Sequence, residues 1–319
     1  MTKLKFGVFL PFYAYHPEET QHSTHFDFVR DIALECERLG YHSVWLDDHL
    51  MYKNSSILEC WTALSALSAV THRIRLGTMV TCNTFRNPAL LAKMAATVDV
   101  ISGGRLEFAI GAGVQEDEHT AYGLPFPKPS VRIGRLGEAV EIIKKLWTEK
   151  KVSHSGKHYS LSEAVCEPKP LQKPHPPITI AGAGEKLTMH IAAWQADRFD
   201  WGYLPSIAAY KHKLEILKRH CAEVGRDFEA IERSCWSGAQ VFIAPDRKAV
   251  QRKLKLRKPA NMSLEDFEKI CLAGTPDECA QAIRAYADLG VTFFMLFFGD
   301  LPSVEGLRLF AETVAEALK

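Results

Sequence analysis

Asp48 and His49 close an otherwise apolar run, Ser43-Val-Trp-Leu46, and are the pair in this 319-residue chain best suited to proton chemistry. Charge at the end of a buried strand costs desolvation free energy unless it is partnered or used. Histidine exchanges protons near neutral pH, and a carboxylate beside it favours the charged form when the two side chains face each other. The alternative is an N-cap beside a solvated histidine. A second pattern, Gly182-Ala-Gly184 followed by Glu185, opens a helix. Glycine lets backbone approach a ligand, and a helix start offers unpaired N–H groups, so the turn suits a phosphate. Such turns also occur simply as helix caps. Gly111-Ala-Gly113 lacks the third glycine of a dinucleotide fingerprint and reads as a tight turn.

Other chemistries find no support. The chain holds no HExxH, GxSxG or Walker A sequence, so protease, hydrolase and P-loop assignments fall away. His16, His22 and His25 lie at irregular loop spacing and read as solvated histidines, so no metal site is expected. The 8 cysteines are scattered without a CxxC, which argues against a zinc cage or disulfide framework. Their pattern fits a reducing, cytoplasmic setting. Net charge is +1 with 24% charged residues, which implies no nucleic-acid partner. No apolar run reaches the ~18 residues of a membrane span. Phe6 to Tyr15 follows two lysines, but Pro11 interrupts it and no small-residue cleavage site follows, so it reads as a first strand rather than a signal peptide.

The elements that must position these residues alternate eight times between short apolar runs and amphipathic helices. Strands are predicted near 5–10, 43–47, 74–80, 106–111, 178–181, 199–203, 239–243 and 292–298. After the first, Phe26, Val29, Ile32, Ala33, Cys36 and Leu39 recur at helical spacing, and Gly40 ends the helix. After the third, Pro88 starts a helix whose buried stripe is predicted as Leu90, Leu91, Met94, Ala95, Val98 and Ile101. Parallel neighbours require crossovers, and a run such as Phe293 to Phe298 is apolar on both faces, as buried parallel strands are. Together these predict an α/β fold, a (β/α)8 TIM barrel forming one domain over 1–319, with an open doubly wound sheet as the alternative. Insertions are expected at about 114–134 after strand four and 246–275 after strand seven. A third, 148–177, carries a hairpin around Gly156 before strand five. In either architecture ligands bind beyond the C-terminal strand ends, where Asp48-His49 and the glycine turns fall. Nothing in these residues alone specifies redox chemistry.

Taken in order, several segments resemble the luciferase-like flavin and deazaflavin oxidoreductase superfamily. They include Ser43-Val-Trp-Leu-Asp-Asp-His49, Arg75-Leu-Gly-Thr-Met-Val-Thr-Cys82 and Arg86-Asn-Pro-Ala-Leu-Leu-Ala-Lys-Met-Ala-Ala96. Asp99-Val-Ile-Ser-Gly-Gly-Arg105, Ala121-Tyr-Gly123 and Glu167-Pro-Lys-Pro170 continue the match, which is good over about 1–225. Within the superfamily the chain is most similar to coenzyme F420-dependent oxidoreductases, on the Asp-His after strand two and Gly184-Glu-Lys186 after strand five.

The resemblance implies an insertion-bearing barrel, dimeric as a homodimer, with a flavin or deazaflavin ring in its mouth. Asp48 and His49 match positions at the ring's polar edge; the proton chemistry of histidine makes His49 the expected acid/base, and the alternative is that it only hydrogen-bonds the ring and orients it. Met79-Val80 matches a non-prolyl cis peptide behind the ring, and Thr81 and Cys82 match residues lining it. Gly111 and Gly113 give the ring room, and Gly182, Ala183, Gly184 and Glu185 match the turn that holds the phosphate tail. The implied reaction is hydride transfer between a small organic substrate and F420. An FMN-dependent monooxygenase using reduced flavin and oxygen is the alternative, and a non-catalytic flavin-binding barrel is a third. The sugar-phosphate dehydrogenases of the group carry a glutamate directly after the strand-four glycines and a tryptophan after the Asp-His. Here Val114 and Lys53 stand there, which argues against that substrate. Strand six ends in Asp200-Trp201 where an asparagine is common.

Overall fold

A computed structural model describes residues 3–11, 25–52, 56–203, 206–236 and 238–318. His16, His22, Lys53 and Phe12 to Tyr15 therefore lie outside the described residues. Eight parallel strands close a barrel: β1 (Lys5–Phe9), β2 (Ser43–Leu46), β3 (Arg75–Thr78), β5 (Leu106–Gly111), β8 (Ile178–Ala181), β9 (Arg198–Asp200), β10 (Glu232–Trp236) and β13 (Val291–Leu296). They are hydrogen-bonded in that order, and β13 pairs with β1 to complete the circle. A two-residue strand, β4 (Thr81–Cys82), extends the line of β3 and pairs with β5.

The outer layer follows from helical patterning. In α1 (His25–Arg38), Val29, Ile32, Ala33 and Cys36 are buried at the predicted spacing. Helices α2 (Cys60–Val70), α3 (Pro88–Ile101), α5 (Pro129–Thr148), α6 (Thr188–Gln195), α7 (Ile207–Glu223) and α10 (Pro276–Ala287) cover the other strands, and α11 (Glu305–Leu309) precedes a π-helical segment, Phe310–Ala315. In α3 the predicted stripe is shifted. Leu90 and Ile101 are exposed, while Leu91, Ala92, Ala95, Ala96, Val98 and Asp99 face inward. Small alanines let α3 pack closely, which a pattern built on large apolar residues does not register. Among the described residues no helix is long and apolar enough to cross a membrane.

The seventh strand corrects the prediction. Glu232–Trp236 forms it, not the run at 239–243. Val241–Ile243 (β11) instead pairs in parallel with Leu272–Gly274 (β12) outside the barrel. Between them, α8 (Arg247–Arg257) and α9 (Leu264–Ile270) complete the expected insertion, with a cluster of their own around Phe242, Val250, Leu254 and Phe267. The true strand reads Glu-Arg-Ser-Cys-Trp, and its charges serve the barrel's lower rim rather than solvent. The insertion before strand five carries the predicted hairpin, β6 (Val152–Ser155) against β7 (Ser160–Ala164). The insertion after strand four carries α4 (Glu116–Ala121).

Phe9, Trp45, Ala109, Phe293 and Met295 fill the barrel interior. Trp45 requires glycines beside it: a Cβ on Gly7 would stand 2.6 Å from its Nε1, and one on Gly77 would collide with its ring. Below this layer, the N-terminal strand ends are tied by ions. Arg198 donates to Glu107 at 2.8 Å and to Glu232 at 2.7 Å, Lys5 donates to Glu232 at 2.8 Å, and Arg75 also pairs with Glu107. Burial alone would raise the Glu107 carboxyl, but Arg198, His42 and Arg75 outweigh it and hold its pKa well below the usual carboxylate range.

Candidate active site at the barrel mouth

A cavity of about 300 Å³ opens at the C-terminal strand ends. That volume is the low end of the range for small-molecule sites, roughly 300–1,000 Å³. Of the residues singled out in the sequence, Asp48, His49, Met79, Val80, Cys82, Gly111, Gly113 and Gly182 line it. The Met79–Val80 peptide is cis, as the resemblance implies. Thr81 does not line the cavity. It is fully buried, and its hydroxyl meets that of Thr78 at 2.8 Å in the barrel wall. Ala183, Gly184 and Glu185 lie beyond the cavity, on the turn leading to α6.

Asp48 is an anchor. Its Oδ2 accepts from the Cys82 N–H at 2.9 Å and from Arg86 Nη1 at 2.6 Å, while Oδ1 accepts from Arg86 Nη2 at 2.8 Å. The short helical turn Asn83–Phe85 carries Arg86 back over β2, and Asn87 then caps α3. Burial opposes the charge of Arg86, but the hydrogen bonds and charge of Asp48 prevail and raise its pKa. A two-pronged guanidinium–carboxylate pair fixes orientation as well as charge.

His49 is held from across the mouth. Its Nδ1 lies 2.5 Å from Glu118 Oε1, and the other oxygen of Glu118 accepts from the Leu50 N–H at 2.8 Å. A carboxylate oxygen can only accept here, so the histidine proton is on Nδ1. Glu118 is about 1% exposed and reaches this position because Gly113, at φ +82°, turns the chain from β5 into α4. A Cβ on Gly113 would meet Thr84 Oγ1 at 2.6 Å and Cys82 Sγ at 2.9 Å.

Next to Glu118, the fully buried His119 lies between the rings of Phe85 and Phe126. Its Nδ1 donates to the Gln115 carbonyl at 2.6 Å, and its Nε2 meets the Thr84 hydroxyl at 2.6 Å. Thr84 in turn contacts the Cys82 thiol at 3.1 Å. Burial pushes that thiol's pKa up to about 11, so it is not a nucleophile at neutral pH.

Asp200, at the end of β9, is about 1% exposed. Its carboxyl contacts the Ser234 hydroxyl and the Gly202 N–H, each at 2.6 Å. Burial raises its pKa. Trp201, Trp236 and Phe85 supply aromatic wall. On the rim, Lys213 donates to the Ala183 carbonyl at 2.9 Å and to Glu185 at 2.8 Å, holding the glycine turn against α7.

The residues fit a flat heteroaromatic group. Aromatic and aliphatic side chains wall the cavity, and Gly111 leaves its edge open, where a Cβ would stand 2.9 Å from Val80 Cγ2. Sequence reasoning passed over Glu118, His119 and Arg86 as site residues. Glu118 belongs to the run Glu116-Asp117-Glu118, which looks like a solvated acidic turn, and its partner is 69 positions away.

Comparisons with known proteins place the chain in a family and a fold. The family described as luciferase-like monooxygenase matches residues 4–262. A protein named F420-dependent glucose-6-phosphate dehydrogenase from Kineococcus radiotolerans is 29% identical, over 91% of this chain and 93% of that one. Among solved structures, the monooxygenase RslO1 from Streptomyces bottropensis superposes with a TM-score of 0.83 at 25% identity, covering 99% of this chain and 100% of its own. An F420-dependent secondary alcohol dehydrogenase, solved with an F420–acetone adduct, shares the fold with a TM-score of 0.82 at 22% identity, covering 99% of each chain.

Proposed function

The chain belongs to the luciferase-like monooxygenase family, and on that premise we propose that it is an oxidoreductase transferring a hydride between a small organic substrate and coenzyme F420. The observation that carries the proposal is the histidine held by a buried carboxylate in a glycine-edged cavity at the barrel mouth. The name of the 29% identical relative supports F420 over other redox groups. When bound, the deazaflavin supplies the hydride acceptor or donor, as cofactors carry the hard step while protein groups orient and tune.

The chain's own residues supply the rest. Met79, Val80, Gly111 and Gly113 would seat the ring, and the turn from Gly182 to Glu185 would take the phosphate of the tail. His49 exchanges the proton on the substrate oxygen or nitrogen next to the reacting carbon, through Nε2. Glu118 is a positioning residue that keeps the other proton on Nδ1. Asp48, clamped by Arg86, aligns the strand end that bears His49. Trp201, Trp236 and Phe85 exclude water from the reacting groups. Val114 stands exposed on the cavity's edge, which favours a substrate other than a sugar phosphate.

Fluorescence titration of the apo-protein with F420, FMN and NADPH tests the assignment. Saturable one-site binding of F420, tighter than that of FMN, is expected. Preference for FMN, with oxygen consumed on reduction, would favour the monooxygenase alternative that the resemblance to RslO1 keeps in play. Binding without turnover of any substrate class would leave a flavin-binding barrel. The family resemblance also supports a homodimer, which light scattering in solution would test.

A further inference from the structure

Helices α6 and α7 pack side by side on the outside of the barrel and bring one side chain of α6 beside two that lie a turn apart on α7. His190 comes from α6, and His220 and Glu223 come from α7. One nitrogen of each histidine and one carboxylate oxygen all lie within 4.8 Å of one another. This is the one such group with metal-ligating chemistry among the described residues.

His220 is constrained at both ring nitrogens. Nε2 faces the main-chain oxygen of Glu185 at 2.7 Å, and Nδ1 faces Glu223 Oε2 at 2.9 Å. The main-chain oxygen can only accept, so Nε2 is the donor there and Nδ1 is turned to the carboxylate. His190 adds a third group. Its Nδ1 stands 4.0 Å from the same Oε2, and its ring centre lies 5.5 Å from that of His220. A metal ion would take one ligand atom from each of the three.

We propose that His190, His220 and Glu223 form a site for a divalent transition metal of the zinc class, with water completing the coordination. Tetrahedral zinc, with bonds of about 2.0–2.1 Å, spaces its ligand atoms roughly 3.3 Å apart. The observed separations of 2.9 and 4.0 Å lie on either side of that value and need only side-chain adjustment. The Nε2–H donated to Glu185 is the outer contact that fixes the tautomer and ring plane of a metal-bound histidine. The His220 side chain is 12% exposed and so preformed, while His190 and Glu223 are about half exposed and leave a path for the ion. Imidazole with carboxylate favours zinc, copper or nickel over magnesium or calcium. Through Glu185 the ion is tied to the turn that begins at Gly182.

The test uses the full chain, stripped by chelator and dialysed. Co²⁺ is titrated by visible absorption and Zn²⁺ by calorimetry at pH 7.5. One saturating equivalent in the micromolar range is expected, with the absorption bands of tetrahedral Co²⁺. His190→Ala and Glu223→Gln should each weaken binding at least about tenfold, and lowering the pH to about 5.5 should weaken it further as protons compete. Both positions are at the surface, so circular dichroism should show unchanged folding. Absence of saturable binding would overturn the site, and so would binding that neither substitution alters.

Discussion

Replacing Glu118 by Gln tests the positioning role directly. The carboxylate accepts two hydrogen bonds, one from His49 Nδ1 and one from the Leu50 main-chain N–H. A glutamine amide offers one acceptor and one donor group. The Leu50 N–H cannot change its role, and leaving it unpaired in this partly buried place would cost about 1 kcal/mol or more. The imidazole can change, so the amide oxygen should turn to Leu50 and its NH₂ to His49. Nδ1 must then accept, and the proton moves to Nε2. Both bonds survive in this arrangement, so stability should fall by less than about 1 kcal/mol. The base, however, is now blocked by its own proton, and wrong-tautomer effects of this kind reduce turnover by ~10²–10⁴-fold. Two-bond ¹H–¹⁵N spectra of the imidazole read the tautomer without any substrate. Turnover on whatever substrate the wild type accepts reads the consequence, and cofactor titration should show affinity within a few-fold. His49→Gln should lose turnover over the same range, and the double variant should be little worse, because the two residues act as one unit. An unchanged tautomer in Glu118→Gln, or turnover within about threefold of wild type, would refute the assignment.

Arg86→Ala leaves the buried Asp48 carboxylate without its cation and should lower stability by about 3 kcal/mol in denaturant titration. Arg86→Lys should recover only part of that loss, since an ammonium cannot make both contacts, and full recovery would show that charge alone suffices. Gly111→Ala places a methyl group 2.9 Å from Val80 Cγ2 and should weaken cofactor binding about tenfold or more by overpacking the cavity edge; unchanged affinity in a folded variant would remove Gly111 from the site. The Glu107 carboxyl has a folded-state pKa below its unfolded value of about 4.3. Its contribution to stability is complete above that value and is lost as the pH falls towards the folded-state pKa. Glu107→Gln should therefore flatten the dependence of stability on pH below about 4, and equal slopes for the two proteins would contradict it.

The barrel was legible because its strands announce themselves: Ile178 to Ala181 and Leu106 to Gly111 occupy the residues their apolar runs predict. Strand seven was not, because burial at the lower rim is ionic. Glu232 and Arg233 look solvent-facing in isolation, whereas Glu232 is paired with Arg198 and Lys5, 34 and 227 positions away. Val241 to Ile243 then attracts the assignment, although it pairs outside the barrel. At the mouth, the residues next to special backbone geometry were found through the family resemblance, among them Met79, Val80, Gly111 and Gly113. Thr81 was misplaced because adjacent strand residues face opposite sides. Glu118 and Arg86 were passed over because their meaning lies in partners brought near only by the closed barrel.

The packed layer around Trp45 and Phe293, with the ion pairs beneath it, also governs traffic. Trp45 fills the space that Gly7 and Gly77 leave, and the Arg198 guanidinium stacks 4.1 Å from the Phe293 ring centre. The chamber thus has a floor, and exchange with solvent runs through the mouth. A redox group held against that floor would enter before a substrate covering it and would leave after the product. Steady-state kinetics should accordingly follow an ordered sequence. A non-reactive analogue of the second ligand should slow release of the first, because whatever binds deepest must leave last.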